Sequence, residues 1–349
     1  MRRPSDTSRA ADPPWRRARL QRRGLCAWLL LAGHLQPERT YVWVANRDHP
    51  ITTPSSAMLA INNRSNLVLS DSKGHALWTA TATKSTITGG DGAYAVLLDS
   101  GNLVLRLPNG TIIWQSIDHP TDTVLPNIKF LVSYKAQVVG RIVAWKGPDD
   151  PSTGEFSVSG DPNSNFQVII WQGTKKYRRI IMLDSVWVTG GAYGSNTTYI
   201  MVETDVITKD EFYIMFTTSD GSPYARATLD YMGIIWIWHW NIESSSWTAF
   251  PQSQDSTGDC ARYASCGPFG YCDFTSVTPM CQCLDGFEPD GSSSSRGCQR
   301  KQELICGDGN HFVNLPGMKV PDNFLHIRNR SFDECATECS RNCSCTAYT

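Results

Sequence analysis

One thirteen-residue phrase is written twice in the chain, and it restricts the fold more than any other feature. Residues 66–78 read NLVLSDSKGHALW and residues 102–114 read NLVLRLPNGTIIW. Both copies begin with Asn-Leu-Val-Leu, carry glycine at the ninth position and end in tryptophan. Self-similarity at a period of this length indicates a repeated supersecondary unit.

Each copy has the pattern of a β-hairpin that ends in a core tryptophan. Apolar residues alternate along the first strand, and Gly74 and Gly110 stand where a tight turn requires a positive φ. Trp43, Trp78 and Trp114 recur at intervals of 35 and 36 residues. Three such units, each contributing one indole to a shared interior, predict a three-sided β assembly.

The composition favours strands and argues against two classes of partner. Twelve tryptophans and many β-branched residues are typical of β proteins. The net charge of −1 gives no field for nucleic acid, so no nucleic-acid partner is expected. Apolar runs are too short to cross a bilayer, so no membrane span is expected in this chain.

Cysteines are concentrated towards the C-terminal end. Cys26 stands alone, whereas the other eleven lie between Cys260 and Cys345. This density is typical of small disulfide-stapled domains in an oxidising compartment. The spacings lack the knuckles of structural zinc sites, so no metal and no cofactor are predicted. Because eleven is odd, either one thiol is free or its partner lies beyond Thr349.

Glycosylation sequons agree with a secreted chain. The predicted glycosylation sites are Asn63, Asn109, Asn196 and Asn329. A fifth sequon, at Asn342, has Cys343 as its middle residue and is left out of the predicted set.

Residues 1–37 have no hairpin pattern. Eight arginines lie within residues 1–23, and the apolar run LCAWLLLAG follows at 25–33. A basic region before a short apolar core resembles a signal peptide, and a disordered basic leader is the alternative.

Two longer stretches carry a family resemblance. Together with the tryptophan-anchored repeat, ERTYVWVANRDHPI (38–51) and WQSIDHPTDTVLPNIKF (114–130) resemble the lectin domain of plant S-locus glycoproteins and S-domain receptor-like kinases. The resemblance implies a bulb-type (monocot mannose-binding) lectin β-prism. In that family further lectin strands precede the first stretch, so the leader predicts an incomplete first face of the prism.

Three later segments resemble further modules of the same family. FQVIIWQG and its neighbours resemble the S-locus glycoprotein domain, which is named for pollen recognition. CARYASCGPFGYCDF and CQCLDGFEP resemble an EGF-like module without the acidic calcium-binding signature. SFDECATECSRN resembles the opening of a PAN/apple domain, where Ser331 and Glu334 have the spacing of a capping box at a helix start.

The resemblance also supplies a disulfide pairing, because cysteine spacing alone leaves many connectivities open. In the EGF-like module it implies Cys260–Cys272, Cys266–Cys281 and Cys283–Cys298. In the PAN/apple module it implies Cys339–Cys345, and it implies that the partner of Cys335 is a cysteine after Thr349. Elimination then pairs Cys306 with Cys343.

The predicted fold class is all-β, with a bulb-type lectin β-prism, a second β-rich domain and two small disulfide-rich modules. The predicted boundaries are a leader at 1–37, an N-terminally incomplete lectin domain at 38–130, an S-locus glycoprotein domain at 131–252, an EGF-like module at 257–298 and a C-terminally truncated PAN/apple module at 306–349.

The candidate carbohydrate-binding residues are what remains of a mannose-reading strand. In bulb lectins this strand has the pattern Gln-x-Asp-x-Asn-x-Val-x-Tyr. Alternate residues of a strand share one face, so the polar side chains can contact one sugar together. Only its Asn and Val survive here, as Asn66 with Val68 and as Asn102 with Val104. A site without its hydrogen-bonding partners loses discrimination, so a mannose-type glycan is not expected and both asparagines are interpreted as structural.

No catalytic residues are predicted. The sequence holds no phosphate-binding glycine loop and none of the kinase signatures, so this chain is not expected to be an enzyme. Longer family members often continue into a Ser/Thr kinase.

The resemblance implies extracellular recognition. The expected partner is a secreted peptide or protein ligand, or a partner receptor ectodomain, and the expected location is secreted or at the outer face of the plasma membrane. Three alternatives stay open: the N-terminal fragment of a membrane receptor kinase, a soluble mannose-type lectin, and a non-functional truncated product.

Overall fold

The structure is a computed structural model that describes most of the chain. The described residues are 17–23, 26–34, 39–51, 57–81, 92–98, 100–133, 141–161, 164–182, 187–189, 200–208, 211–218, 225–241, 244, 246–251, 260, 262–273, 279–291, 297–303, 312–315, 318, 321–322, 324, 327, 329–342 and 344–348. The chain divides into two compact units. Residues 1–175 and 181–253 form the first unit, and residues 176–180 and 254–349 form the second.

Three antiparallel sheets of three strands each open the first unit, in the orders β1-β2-β3, β4-β5-β6 and β7-β8-β9. Their strands are β1 (Arg17–Arg23), β2 (Cys26–His34), β3 (Arg39–Val44), β4 (Met58–Ile61), β5 (Leu67–Ser70), β6 (Ala76–Ala80), β7 (Tyr94–Leu97), β8 (Leu103–Arg106) and β9 (Ile112–Gln115). A 3₁₀-helix, Ser116–Asp118, follows β9. The three-sided assembly predicted from the repeat is present, and the all-β fold class is confirmed.

The three tryptophans of the repeat meet in the core of this region. Trp43, Trp78 and Trp114 come from β3, β6 and β9, one from each sheet. Their ring centroids are 5.6 to 5.8 Å apart, and their planes cross at 68° to 76°. These are edge-to-face contacts, which aromatic pairs prefer. The prediction of a shared tryptophan interior is therefore confirmed.

The turns of the two repeat copies have the same geometry. In the first copy the Gly74 N–H donates to the Asp71 carbonyl at 3.1 Å, and the Asp71 N–H donates to the His75 carbonyl at 3.0 Å. The second copy repeats both bonds around Gly110, and φ is 82° at Gly74 and 85° at Gly110. No atom lies within 4 Å of an added Cβ at either glycine, so backbone conformation rather than space selects glycine there.

Strands β1 and β2 lie within the region that the sequence analysis interpreted as a signal peptide or a disordered leader. The apolar strand β2 lies between β1 and β3 and pairs antiparallel with both. A short apolar run suits such a central strand, because both edges of its backbone bond to neighbours. The first sheet therefore has three strands, like the other two. Residues 1–16 lie outside the described residues, and the signal peptide stays a prediction.

Three four-stranded sheets follow, in the orders β10-β19-β20-β21, β11-β18-β17-β16 and β12-β13-β14-β15. Their strands are β10 (Thr123–Val124), β11 (Phe130–Ser133), β12 (Ile142–Gly147), β13 (Asp150–Asp161), β14 (Ser164–Gln172), β15 (Lys175–Met182), β16 (Trp187–Thr189), β17 (Ile200–Thr208), β18 (Glu211–Thr218), β19 (Ala225–Leu229), β20 (Ile235–Asn241) and β21 (Ser246–Pro251). Val168, Ile169 and Ile170 on β14 are fully buried. This part is the second β-rich region that the sequence predicted.

Two short ribbons and three disulfides form the cysteine-rich part of the second unit. The strands are β22 (Gly270–Asp273), β23 (Met280–Cys283), β24 (Phe287–Pro289) and β25 (Cys298–Arg300). The disulfides are Cys260–Cys272, Cys266–Cys281 and Cys283–Cys298, the pairs that the resemblance implied. The sulfurs of Cys260, Cys266 and Cys281 lie within 4.8 Å of one another. All three belong to disulfides, so they offer no thiolate to a metal ion.

Helix α1 (Phe332–Arg341) begins with the predicted capping box. The Glu334 N–H donates to the Ser331 hydroxyl, and the Ser331 N–H donates to the Glu334 carboxylate at 2.7 Å. Cys339 is bonded to Cys345, and the Cys335 thiol is free. Cys306 and Cys343 lie outside the described residues. No helix in the described part of the chain is long and apolar enough to span a membrane.

Candidate functional site

Asn102, which stands in the second repeat copy at a position that binds sugar in bulb lectins, is buried in the core. Asn102 is 5% exposed, and its side-chain oxygen accepts the Ser116 hydroxyl at 3.1 Å and the Ile117 N–H at 3.4 Å. Its amide donates to the Gln115 side-chain oxygen at 3.1 Å. Val104 is fully buried. Asn102 therefore fastens the 3₁₀-helix to β8 and has no lone pair left for a sugar hydroxyl.

The first copy keeps its asparagine at a turn. The Asn66 N–H donates to the Asn62 side-chain oxygen at 3.1 Å, and the Asn66 carbonyl accepts the Asn62 N–H at 2.9 Å. Val68 is half-buried on β5, and Ser70 at the former tyrosine position is buried. The structure brings Asn66 and Val68 onto one hairpin but supplies neither the aspartate nor the tyrosine hydroxyl that a mannose site uses. Its geometry is that of a structural turn.

A small cavity lies beside Trp43, with Ser116, Pro120 and Leu125 among its lining residues. Its volume is about 30 Å³. A space of this size holds about one water molecule, whereas ligand pockets measure several hundred Å³. This cavity therefore cannot take a sugar ring.

Arg47 and Asp48, in the VANRDHP stretch, fasten the three-sided assembly to the next sheet. The Arg47 guanidinium donates to the backbone carbonyls of Ala144 at 2.6 Å and Pro151 at 2.9 Å, on β12 and β13. The Asp48 carboxylate accepts the N–H and the hydroxyl of Thr153, both at 2.7 Å. These charge-assisted bonds are stronger than neutral ones, so the two residues act as a structural clamp.

The electrostatics of this clamp agree with a structural role. Burial lowers the pKa of Arg47, and the nearby Asp122 and Asp48 act in the opposite direction. Desolvation acts to raise the pKa of Asp48, but the hydrogen bonds from Thr153 outweigh it and the pKa is lowered. Sequence reasoning missed this clamp, because most of its partners are distant backbone atoms that carry no sequence signature. The available signal was a pair of adjacent charges at the end of an apolar strand.

The HPTDT stretch connects the first sheets to the next ones. The His119 imidazole stacks on the Trp114 indole at 5.5 Å, and Thr123 begins the strand that pairs with β19. The Thr121 hydroxyl donates to the Asp122 carboxylate at 3.1 Å, and the Asp122 carbonyl accepts the Leu229 N–H at 2.9 Å. Burial raises the pKa of Asp122, against the lowering effects of its own backbone N–H and of Arg47. This long sequence signature is therefore explained by packing.

Two predicted glycosylation sites lie on exposed hairpin turns. Asn63 lies between β4 and β5, and Asn109 lies between β8 and β9. Asn329 is also exposed, and Asn196 falls outside the described residues. Their occupancy stays a prediction.

Comparison with known families matches three domain models along the chain. The D-mannose binding lectin model matches residues 40–146, the S-locus glycoprotein domain model matches 187–291, and the PAN-like domain model matches 306–349. The lectin match runs past the predicted boundary at 130. None of the three matched models is a kinase.

Curated relatives match along most of the chain. The S-locus-specific glycoprotein S6 of Brassica oleracea is 32% identical over 324 residues, which are 89% of this chain and 72% of that protein. The receptor-like serine/threonine-protein kinase SD1-8 of Arabidopsis thaliana is 35% identical over 89% of this chain. The G-type lectin S-receptor-like serine/threonine-protein kinase B120 of the same species is 32% identical. The chain spans 37% and 38% of the lengths of these two kinases.

Proposed function

The chain belongs to the plant family of S-locus glycoproteins and G-type lectin S-receptor-like kinases, and from that membership we propose that it binds a peptide or a protein outside the cell. Its matched domains are of the family's ectodomain types, and its relatives indicate a recognition role. The three matched domains are of lectin, S-locus glycoprotein and PAN-like types, and none of them is a kinase domain.

One observation carries the choice of a protein ligand over a sugar. The chain has the lectin scaffold with its tryptophan core, while the residues at the positions that bind sugar in bulb lectins make structural contacts instead. Asn102 bonds to Ser116 and Gln115 in the core, and Val104 is fully buried. A mannose site depends on several polar groups that meet the sugar together, and no such set remains in either copy.

A location outside the cell is part of the same proposal. Four disulfides among the described residues favour an oxidising compartment. Two sequons on exposed turns add to this support.

The experiment is a direct comparison of two probe classes on one preparation. The chain, expressed through a secretory host, is titrated calorimetrically with a panel of synthetic cysteine-rich secreted peptides and is applied to a mannose-rich glycan array. We expect at least one peptide to bind with a dissociation constant of about 1 µM or tighter, and methyl α-mannoside not to compete. Glycan binding that mannose inhibits, without peptide binding, would overturn the proposal in favour of a lectin.

A further inference from the structure

An exposed phenylalanine of the second unit is held in an unusual backbone conformation. Phe269 has a φ of 56°, in the left-handed region that bulky residues rarely adopt. Its neighbours allow little adjustment, because a Cβ on Gly270 would lie 2.2 Å from the Cys266 carbonyl oxygen. A Cβ on Gly297 would lie 2.6 Å from the ring of Pro268. Strain of this kind persists only where the surrounding structure fixes it.

The Phe269 ring lies in a group with the half-buried Phe287 and an exposed arginine. It is 41% exposed and stacks on Phe287 with ring centroids 5.0 Å apart. The Arg300 guanidinium lies over Phe287 at 4.8 Å from the ring centroid. We call Phe269, Phe287 and Arg300 the aromatic–arginine face.

The register of the β24–β25 ribbon determines which charged side chains lie on the aromatic–arginine face. Phe287 and Arg300 are direct partners in the β24–β25 register, so they share one side of the ribbon. Glu288 and Gln299 are the next pair, on the opposite side, where their side chains bond to each other at 3.3 Å. No carboxylate from these two strands therefore stands beside the Arg300 guanidinium.

These features match the chemistry of a protein-binding anchor. Aromatic residues and arginine are enriched among the side chains that dominate binding energy. A ring on a fixed backbone loses little freedom on binding, which favours affinity. A guanidinium that lies over the face of a ring still has N–H groups along its own edges, which can meet a carboxylate in bidentate fashion.

We propose that the aromatic–arginine face docks a peptide segment in which an acidic residue lies next to an apolar one. The apolar side chain packs on Phe269, and the carboxylate pairs with Arg300. This site rests on the proposed function, since it names the surface through which a protein ligand would be read.

The test selects peptides without assuming a ligand. A phage-displayed library of random linear peptides is panned on the full secreted chain, and enriched peptides are measured by biolayer interferometry. They are compared on wild type, Phe269→Asn, Arg300→Gln and the control Tyr94→Ala, which removes an exposed ring from β7. Asparagine suits the left-handed backbone, so Phe269→Asn removes the ring without adding strain. Thermal unfolding of each variant checks that the fold is kept.

We expect enriched peptides to carry Asp or Glu beside an apolar residue. Binding should weaken by about tenfold or more in Phe269→Asn and in Arg300→Gln, and stay unchanged in Tyr94→Ala. Peptides that bind both test variants as well as wild type would overturn this site and leave the proposed function standing. Failure to enrich any linear peptide would also overturn this site, whereas the proposed function is decided separately by the titration with cysteine-rich peptides.

Discussion

The two copies of the repeated phrase fold into the same hairpin but meet different surroundings. Their turns close with the same pair of backbone hydrogen bonds, and Trp78 and Trp114 pack against each other at 5.8 Å. The valines at the third position of the phrase nevertheless differ in burial, because Val68 is half-buried and Val104 is fully buried.

The asparagines of the two copies also differ, and a residue just outside the phrase contributes to that difference. Two residues after the final tryptophan, the first copy has Ala80 and the second has Ser116. The Ser116 hydroxyl bonds to Asn102 and accepts the Leu103 N–H at 3.0 Å, whereas alanine has no hydroxyl to do so. Local sequence therefore sets the hairpin, and the residues that follow it decide what each asparagine does.

The largest effect should come from the tryptophans. Trp114→Ala should lower the free energy of unfolding by about 4 kcal/mol and Trp78→Ala by about 3 kcal/mol, measured by urea denaturation. Trp114 is 5% exposed and also stacks on His119, whereas Trp78 is half-buried. A larger loss at Trp78 would reverse the ranking of the two copies.

The second largest difference in unfolding free energy between the copies should come from substitution of their asparagines. Asn102→Ala leaves the buried Ser116 hydroxyl without its acceptor, so it should cost about 2 kcal/mol in unfolding free energy. Asn66→Ala, at a half-buried turn position, should cost less than about 1 kcal/mol. Equal losses by denaturant unfolding would mean that Ser116 does not distinguish the copies. Ser116→Ala is the matched control and should reproduce most of the Asn102→Ala loss.

The turn glycines should show where the copies are equivalent. Gly74→Ala and Gly110→Ala should each cost about 1 kcal/mol, since both residues have φ above 80° and open space around the added methyl group. Differential scanning calorimetry of the two variants gives the comparison. A difference well beyond error would point to surroundings that the shared turn geometry does not include.

The smallest effect concerns pH and only the first copy. Backbone hydrogen bonding from His75, with further bonding from its side chain and from Lys73, lowers the pKa of Asp71. A depressed native pKa adds stability that is present above the unfolded pKa near 4 and is lost as pH falls through the native value. Wild type should therefore lose a small stability increment below about pH 4 that Asp71→Asn lacks. If the unfolding midpoints of wild type and Asp71→Asn fell by the same amount as the pH is lowered below about 4, this prediction would be wrong. Asn109, which accepts the Thr111 N–H in the second turn, has no charge to lose.

Local features of the fold could be predicted because each depends on the types and spacing of residues that are close in sequence. The tryptophan core follows from spacing, the turn glycines from the positive φ that a tight hairpin needs, and the capping box from Ser331 and Glu334. The disulfide pairs came from family resemblance, since spacing alone does not fix them.

The features that were missed depend on long-range partners. Arg47 bonds to carbonyls about a hundred residues later in the chain, and any residue can supply a carbonyl. The strands Arg17–Arg23 and Cys26–His34 lie in the predicted leader, and a short apolar run behind arginines has the same pattern in a signal peptide and in a central strand. Phe269 carries no sequence mark of its positive φ.

The central claim is that the lectin scaffold is kept while its sugar-reading positions serve the fold. The most direct test is a calorimetric titration of the purified chain with methyl α-mannoside, with an intact bulb lectin as the positive control. We predict no saturable heat from this chain at sugar concentrations that saturate the control. Saturable mannose binding that Asn66→Ala or Asn102→Ala abolishes would contradict the account.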